Sequence, residues 1–457
     1  MRLGVIASQF PRYDEAFLLR DITALAHGVE CVRIFSLKPC RDRVIHAQAQ
    51  ALLPQTVSVP FLWSRTIWRS HLYFLRHAPR AYGGALGWII SRHWKDPMIL
   101  ANTLSVFPKT VHMAHLALAE RLTHLHACWA TYPATCALVI CRLTGIPYSL
   151  SGHAHDIYCV NPALREKILN AKFIVTCTEV NKRHLEKLLN GHERADVRMC
   201  GRADVSALGH PHIRTSAHIV VNYHGIDLAK FSPVPKPVSD VCHLLAVGRL
   251  DASKGLEILI EACRRLRTRG MSFRCTIAGD GPWDPRLRRL IARDGLADYV
   301  QMIGSVSQDT VVRLYQEAHL FILPLAAQIH WGIPNVLIEA LATKTPVITC
   351  DLPSMRELIE HGRSGWVLPR RDARQLAEAI ETLWRDAPHR AALAEAGYQR
   401  VVERFSLEQT GQRLRDIFAE GQGENGVEFA GSRVGELAGS TRQPTNPLTR
   451  NQKPSLR

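Results

Sequence analysis

Two segments carry the residues best suited to chemistry on a phosphorylated ligand. Gly248-Arg249-Leu250-Asp251-Ala252-Ser253-Lys254-Gly255 follows an apolar, strand-like run and offers two cations, Arg249 and Lys254, about a tight turn. Gly332-Ile333-Pro334-Asn335-Val336-Leu337-Ile338-Glu339-Ala340 opens a helix and sets the carboxylate of Glu339 more than a turn into it. The unpaired N–H groups and dipole of a helix start, together with fixed cations, suit a diphosphate. A carboxylate suits ribose hydroxyls. Both together point to a sugar nucleotide. Each alone is ambiguous: Arg249 also fits an ordinary surface residue, Lys254 a solvated first-turn charge, and Glu339 a solvated helix face.

A third segment, Ser151-Gly152-His153-Ala154-His155-Asp156, follows another strand-like run. His-x-His beside Asp can ligate a metal. No further His, Asp or Glu set at matching strand ends completes such a site, so no metal is expected. The favoured reading is a polar strand-end cluster. There His153 hydrogen-bonds a ligand hydroxyl or stabilises charge in a transition state.

These segments need elements to hold them. Strand-like runs fall at 3–8, 32–36, 124–127, 148–151, 173–176 and 219–223, then at 242–247, 273–278, 300–303, 320–323, 346–349 and 365–368, with helical patterns between them. Such alternation predicts parallel sheets built from βαβ units. Pro233, Pro235 and Pro237 stiffen the segment between the two series into a linker. The expected organisation is an N-terminal domain over 1–231, a hinge over 232–240, a C-terminal domain over 241–397, a helix over 398–420 and a disordered basic tail over 421–457. In doubly wound sheets ligands bind at the carboxyl ends of strands, so two facing domains enclose a cleft.

Composition sets outer limits. At 457 residues, 46% hydrophobic, the chain can build two cores. No apolar run reaches the ~20 residues of a membrane span, and the run opening at Leu3 argues against a secretory signal. The 12 cysteines include no Cys-x-x-Cys pair, which fits reduced thiols and a cytoplasmic protein. The formal net charge of +16 suits anionic partners. No nucleic-acid module is evident, and nucleic acid is not expected as a partner. From Val57 to Lys95, Arg65, Arg69, Arg76, Arg80, Arg92 and Lys95 interleave with Phe61, Trp63, Trp68, Tyr73, Phe74, Tyr82 and Trp88, without one acid. That pattern fits either a surface resting on an anionic membrane or a helical pair packing its aromatics inward.

Taken together, the motifs resemble the retaining glycosyltransferases of family 4, and are particularly similar to bacterial exopolysaccharide members of the colanic-acid type. Val247-Gly248-Arg249-Leu250, Lys254-Gly255-Leu256, Ile277-Ala278-Gly279-Asp280-Gly281-Pro282, Pro334-Asn335-Val336-Leu337-Ile338-Glu339-Ala340 and Gly365-Trp366-Val367-Leu368 carry the resemblance in the C-terminal half. Phe10-Pro11, Glu15-Ala16-Phe17, His126-Ala127, Ser151 to Asp156 and Tyr223-His224-Gly225-Ile226-Asp227 carry it in the N-terminal half.

The resemblance implies the α/β GT-B fold: two facing Rossmann-like doubly wound parallel-sheet domains with a cleft between them. It implies a nucleotide-sugar donor, a polyprenyl- or lipid-linked sugar acceptor, no metal and no cofactor, and peripheral contact with the inner membrane face. Arg249 and Lys254 would hold the diphosphate, Glu339 the ribose, and His153 the transferred sugar. Gly248, Trp331, Gly332, Ile333, Asn335 and Val336 would complete the donor site, with Phe10, Glu15 and Phe17 on the acceptor side. Trp331 occupies the first glutamate of the family's Glu-x7-Glu motif. Three explanations stand: an unusual donor sugar, substitution by Gln328 or His330, or an impaired relative that binds nucleotide without turnover.

Overall fold

The computed structural model describes residues 1–12, 15–40, 47–58, 64–190, 218–326 and 332–423. Its first sheet holds β1 (Arg2–Gln9), β2 (Cys31–Lys38), β3 (Thr56–Ser58), β4 (His124–Ala127), β5 (Tyr148–Gly152), β6 (Phe173–Thr176) and β7 (His218–Val221) in the order β3-β2-β1-β4-β5-β6-β7. Every pairing is parallel. β1 shows why: Leu3, Val5 and Ala7 enter one core while Ile6 enters the other, so the strand is apolar on both faces.

The second sheet holds β8 (Cys242–Val247), β9 (Phe273–Ala278), β10 (Val300–Gly304), β11 (Leu320–Leu323), β12 (Val347–Cys350) and β13 (Trp366–Leu368). Their order is β10-β9-β8-β11-β12-β13, again all parallel. The fold class is the expected one, two doubly wound α/β domains. The edge strand Thr56–Ser58 is an addition; three residues carry too little pattern to be read from sequence.

Each sheet reverses its winding direction once, between β1 and β4 and between β8 and β11. Strand ends diverge at such points and leave a crevice. The segments after β4 and β8 are those that hold Trp129 and Arg249.

The chain crosses between domains twice, and the crossings lie together. Ile226 N–H donates to Phe405 O at 2.7 Å, and Leu407 N–H donates to Ile226 O at 2.8 Å. This bridge diverts the backbone at Ser406, which is extended, so the single helix expected over 398–420 is two: Ala387–Phe405 and Leu407–Gly423. The second runs beyond the expected boundary, through Gly421. Residues 424–457, most of the expected basic tail, lie outside the described residues. Gly225 permits the crossing, since a Cβ there would meet Thr410 Oγ1 at 2.1 Å. The proline linker is pinned, with Lys236 Nζ on Tyr315 O at 2.7 Å and on Thr345 Oγ1 at 2.6 Å.

The final helix belongs to the N-terminal core. Leu414, Ile417 and Phe418 share a cluster with Leu3, Val5 and Leu18, and Phe418 sets its ring edge-on to Phe173 at 5.0 Å. Phe418→Ala is therefore expected to lower the stability of the N-terminal domain by about 3–5 kcal/mol. Urea unfolding followed through that domain's tryptophans measures it, and a loss under 1 kcal/mol would contradict this packing.

Candidate functional site

The C-terminal half of the site grows from the turn after β8. Gly248 has φ +150° and Gly255 φ +66°, and a Cβ on Gly255 would lie 2.0 Å from Pro324 O. The turn is thereby drawn against the end of β11, where Ala326 N–H donates to Ser253 O at 3.0 Å. The two cations of the turn differ in setting. Arg249 leaves 73% of its side chain in solvent, 3.7 Å from Asp251. Lys254 folds its stem over Gly248, and burial lowers its pKa while Asp251 partly restores it.

Across the crevice stands the helix Asn335–Ala342. Pro334 is its N-cap, so the first helical position belongs to Asn335. Asn335 and Val336 are half-buried and form the first turn, and Ile333 packs against the core beneath. Glu339 accepts a hydrogen bond from Tyr315 Oη at 3.1 Å. Burial raises the Glu339 pKa; the Tyr315 bond and the charges of Arg20 and Lys230 oppose that. Arg20 comes from the other domain and donates to Gly225 O at 2.6 Å. Gly332 O accepts from Ser354 Oγ at 3.0 Å, and a Cβ on Gly332 would sit 3.8 Å from Ala154 Cβ, so the domains meet here. Trp331, Gln328 and His330 lie outside the described residues.

The N-terminal domain supplies an aromatic wall. His153 caps the short helix Ala154–Tyr158, and its ring lies 4.5 Å from Trp129, 5.2 Å from Phe17 and 5.4 Å from His224. Asp156 fixes this arrangement. One carboxylate oxygen accepts from His153 N–H at 2.6 Å and the other from Ala130 N–H. On the far side of that peptide, Ala130 O accepts from Asn161 Nδ2 at 3.0 Å and from Lys167 Nζ at 3.3 Å. The loop after β4 is thus clamped to the loop after β5.

Burial keeps the wall neutral. His153 is held well below the usual imidazole range by burial, then by His224 and His126, and burial with Arg20 takes His224 down to about 4. His124 and His126 lie beneath, each lowered to about 3 by burial, with Ser149 and Ser151 as hydrogen-bond partners. His153 Nδ1 and Trp129 Nε1 are buried without a hydrogen-bond partner among the described residues. Buried polar atoms normally find one, which makes these two candidates for a ligand contact.

The structure therefore brings Gly248, Arg249, Lys254, Gly332, Ile333, Asn335, Val336 and Glu339 to one domain's strand ends, and His153 and Phe17 to the other's. Phe10 is buried in the core, where its N–H donates to Ser36 Oγ at 2.9 Å, so it supports the first loop from below. Glu15 pairs with Arg12 at 3.0 Å. Sequence reasoning missed Trp129, His224, Arg20 and Tyr315. Trp129 adjoins a recognised segment and His224 lies within one, Tyr223 to Asp227, without having been assigned a role; nothing in the sequence pairs Arg20 or Tyr315 with Glu339.

Residues 242–386 match the family model described as glycosyl transferases group 1. A protein of Escherichia coli named as a colanic acid biosynthesis glycosyltransferase, WcaL, is 34% identical over 204 residues, 44% of this chain and 50% of that protein. The chain spans about half the length of the curated relatives it matches. A glycosyltransferase of Rickettsia africae has a TM-score of 0.65 at 17% identity, covering 93% of this chain and 99% of that one. HepE of Anabaena, solved in complex with UDP, has a TM-score of 0.62 at 15% identity, covering 92% and 100%. The fold is GT-B.

Two expectations follow from the wall. Asp156→Asn places an amide NH2 against one of two backbone donors, with an expected loss of about 1–3 kcal/mol and a displaced Trp129; denaturation and Trp129 fluorescence report both, and an unchanged variant would refute the clamp. The buried imidazoles are neutral in the fold and titrate near 6.5 when unfolded. These imidazoles thus bind more protons in the unfolded chain between about pH 6.5 and 4 and each lowers stability as pH drops, by up to about 1.4 kcal/mol per unit, while Asp21 and Asp156, raised to about 7 by burial, act in the opposite sense. From pH 7 to 5 the urea midpoint of the wild type should fall relative to that of His126→Gln; parallel profiles would contradict neutral burial of His126.

Proposed function

We propose that the protein is a glycosyltransferase that moves a sugar from a nucleotide donor onto a growing glycan, in the manner of the exopolysaccharide enzymes it resembles. One observation carries the reading. A cationic turn, a helix N-terminus with Glu339, and a neutral imidazole wall converge from two GT-B domains on one cleft. In this reading Arg249, Lys254 and the first-turn amides of helix Asn335–Ala342 hold the donor diphosphate. Glu339, oriented by Tyr315, accepts from the ribose. His153 and Trp129 turn their unpartnered nitrogens to the transferred sugar, and Phe17 and His224 border the acceptor.

The chemistry assigned is retaining and needs neither metal nor cofactor. The bond from the anomeric carbon to the diphosphate breaks as the acceptor oxygen bonds to that carbon on the same face. The departing diphosphate takes the acceptor's proton. Arg249, Lys254 and the helix dipole stabilise the charge that develops on it. A neutral wall suits the task, because an imidazolium there would repel a sugar centre gaining positive charge.

The acceptor in this reading is lipid-linked, reached by peripheral contact with an anionic membrane face. Among the described residues no helix is long and apolar enough to cross a membrane. The helix Arg65–His77 exposes Trp68 (61%), Leu72 and Leu75 along one stripe, flanked by exposed Arg65, Arg69 and Arg76. Past the next helix, Trp94 (63%) and Met98 (75%) are also exposed. The basic-aromatic region is divided: Phe74 and Trp88 are buried, Tyr73 stacks on His115, and Arg92 pairs with Glu166 at 2.5 Å, while Phe61 and Trp63 lie outside the described residues. A stripe of apolar and basic residues suits a lipid interface.

Incubation with UDP-, GDP- and ADP-sugars, with and without membrane lipid extract, tests transfer through release of nucleoside diphosphate. One donor should give release that lipid enhances and that Lys254→Ala and Glu339→Ala each reduce about 100-fold. Trp331, in place of a glutamate, favours a second reading, a nucleotide-binding relative without turnover. Nucleotide binding by calorimetry with no release from any donor would select it. For the membrane, Trp68→Ala combined with Leu72→Ala should lose flotation with vesicles containing phosphatidylglycerol; retained flotation would exclude this stripe as the contact.

A further inference from the structure

A second cavity opens between the domains, of about 700 Å3, lined by Tyr158, Val180, Arg183, His184, Lys187, Pro353, Arg356 and Glu357. None of these residues belongs to the donor machinery above. They follow the carboxyl ends of β5, β6 and β12, so the cavity lies on the cleft side of both sheets. β12 stands two strands from β8, so the cavity's C-terminal wall is about 10 Å along the sheet edge from the Arg249 turn. Ser354, between its lining residues Pro353 and Arg356, bonds Gly332 O and joins the two spaces.

Its lining has a definite chemistry. Arg183 and Lys187 are exposed one turn apart on the helix Glu179–Leu189, and Arg356 faces them from the other domain. Arg356 is paired with Asp351 at 2.6 Å. The single carboxylate in the lining, Glu357, already accepts from Glu179 N–H at 2.8 Å, Val180 N–H at 3.0 Å and Tyr223 Oη at 3.0 Å. Arg183 makes no hydrogen bond or ion pair among the described residues. Tyr158 and His184, stacked at 4.3 Å, give a flat wall beside the cations. Guanidinium and ammonium groups facing a cavity whose own carboxylate is occupied suit an anion, and a phosphoryl group offers them the most acceptor oxygens.

We propose that this cavity binds a phosphoryl group of the acceptor, separate from the donor diphosphate. The assignment rests on the transferase reading for the word acceptor, but the binding chemistry stands without it. It makes the acceptor a phosphorylated lipid carrier whose charged head is held at Arg183 and Lys187 while its sugar reaches the aromatic wall.

Calorimetry on the full chain with farnesyl diphosphate, farnesol, inorganic pyrophosphate and UDP tests it. Farnesyl diphosphate should bind, and Arg183→Ala and Lys187→Ala should each weaken it about tenfold or more, the worth of a charge-assisted hydrogen bond, with UDP affinity unchanged. Farnesol binding as tightly as its diphosphate would overturn the proposal, since the tail alone would then be read. Equal weakening of UDP would also overturn it, by assigning the cavity to the donor, as would absence of farnesyl diphosphate binding. Pyrophosphate binding equally well and equally dependent on Arg183 would identify a free-phosphate site and remove the acceptor. If no donor sugar is turned over yet farnesyl diphosphate binding still depends on Arg183, the transferase reading fails and the phosphoryl site stands.

Discussion

The site exists only because two sheets are held with their strand ends facing, and the carboxylate of Glu357 ties them directly beside the cleft. It comes from the C-terminal domain and caps the N-terminus of helix Glu179–Leu189 in the other, accepting two amides. Tyr223 Oη donates to the same carboxylate, and Arg404 donates to Tyr223 Oη at 2.8 Å and to Glu357 O at 3.1 Å. A carboxylate on a helix N-terminus gains from the dipole as well as from the hydrogen bonds. The interaction lies beside the hinge bridge of Ile226 with Phe405 and Leu407, so the domains are joined near a pivot. Groups farther from the pivot, such as Arg249, remain open to solvent.

The two halves of the cleft divide the electrostatic labour. The C-terminal half keeps its charges where a ligand can neutralise them. The N-terminal half contributes uncharged imidazoles and an indole, buried at His153 and half-buried at His224 and Trp129, whose dipoles cost little to carry in a low-dielectric wall. Arg20 spans the division, because its guanidinium acts on both His224 and Glu339. Its hydrogen bond to Gly225 O ties that field to the hinge.

The parallel sheets were legible because the buried strands read as short, mostly apolar runs, as in Cys242–Val247 and Phe273–Ala278, with helical spacing between. The cationic turn and the Pro334 helix were legible for a related reason: glycine and proline mark special backbone, and the polar groups beside them have few structural uses. The break at Ser406 was not, because it is imposed by pairing with Ile226, distant in sequence. Trp129 and Lys167 were silent likewise. Their roles come from a clamp around Ala130 built by Asp156 and Asn161, and no local pattern encodes it. The aromatic stretch after Arg65 was half read: composition shows what the residues are, but only packing against the helix Pro97–Ala119 decides which rings turn outward.

The return of helix Leu407–Gly423 to the first domain has a consequence for how the protein is made. Leu414, Ile417 and Phe418 close the core against Leu3, Val5 and Ile22, residues that leave the ribosome hundreds of positions earlier. Until that helix emerges, this face of the first sheet has only the partial cover that Leu18, Ile22 and Leu25 provide. Nascent domains generally fold in order as they appear. Here the second domain completes its own core while the first still waits for its last element, so the domain begun first is finished last. During synthesis the part of that face left open beside Leu18 and Ile22 is the surface a chaperone would meet.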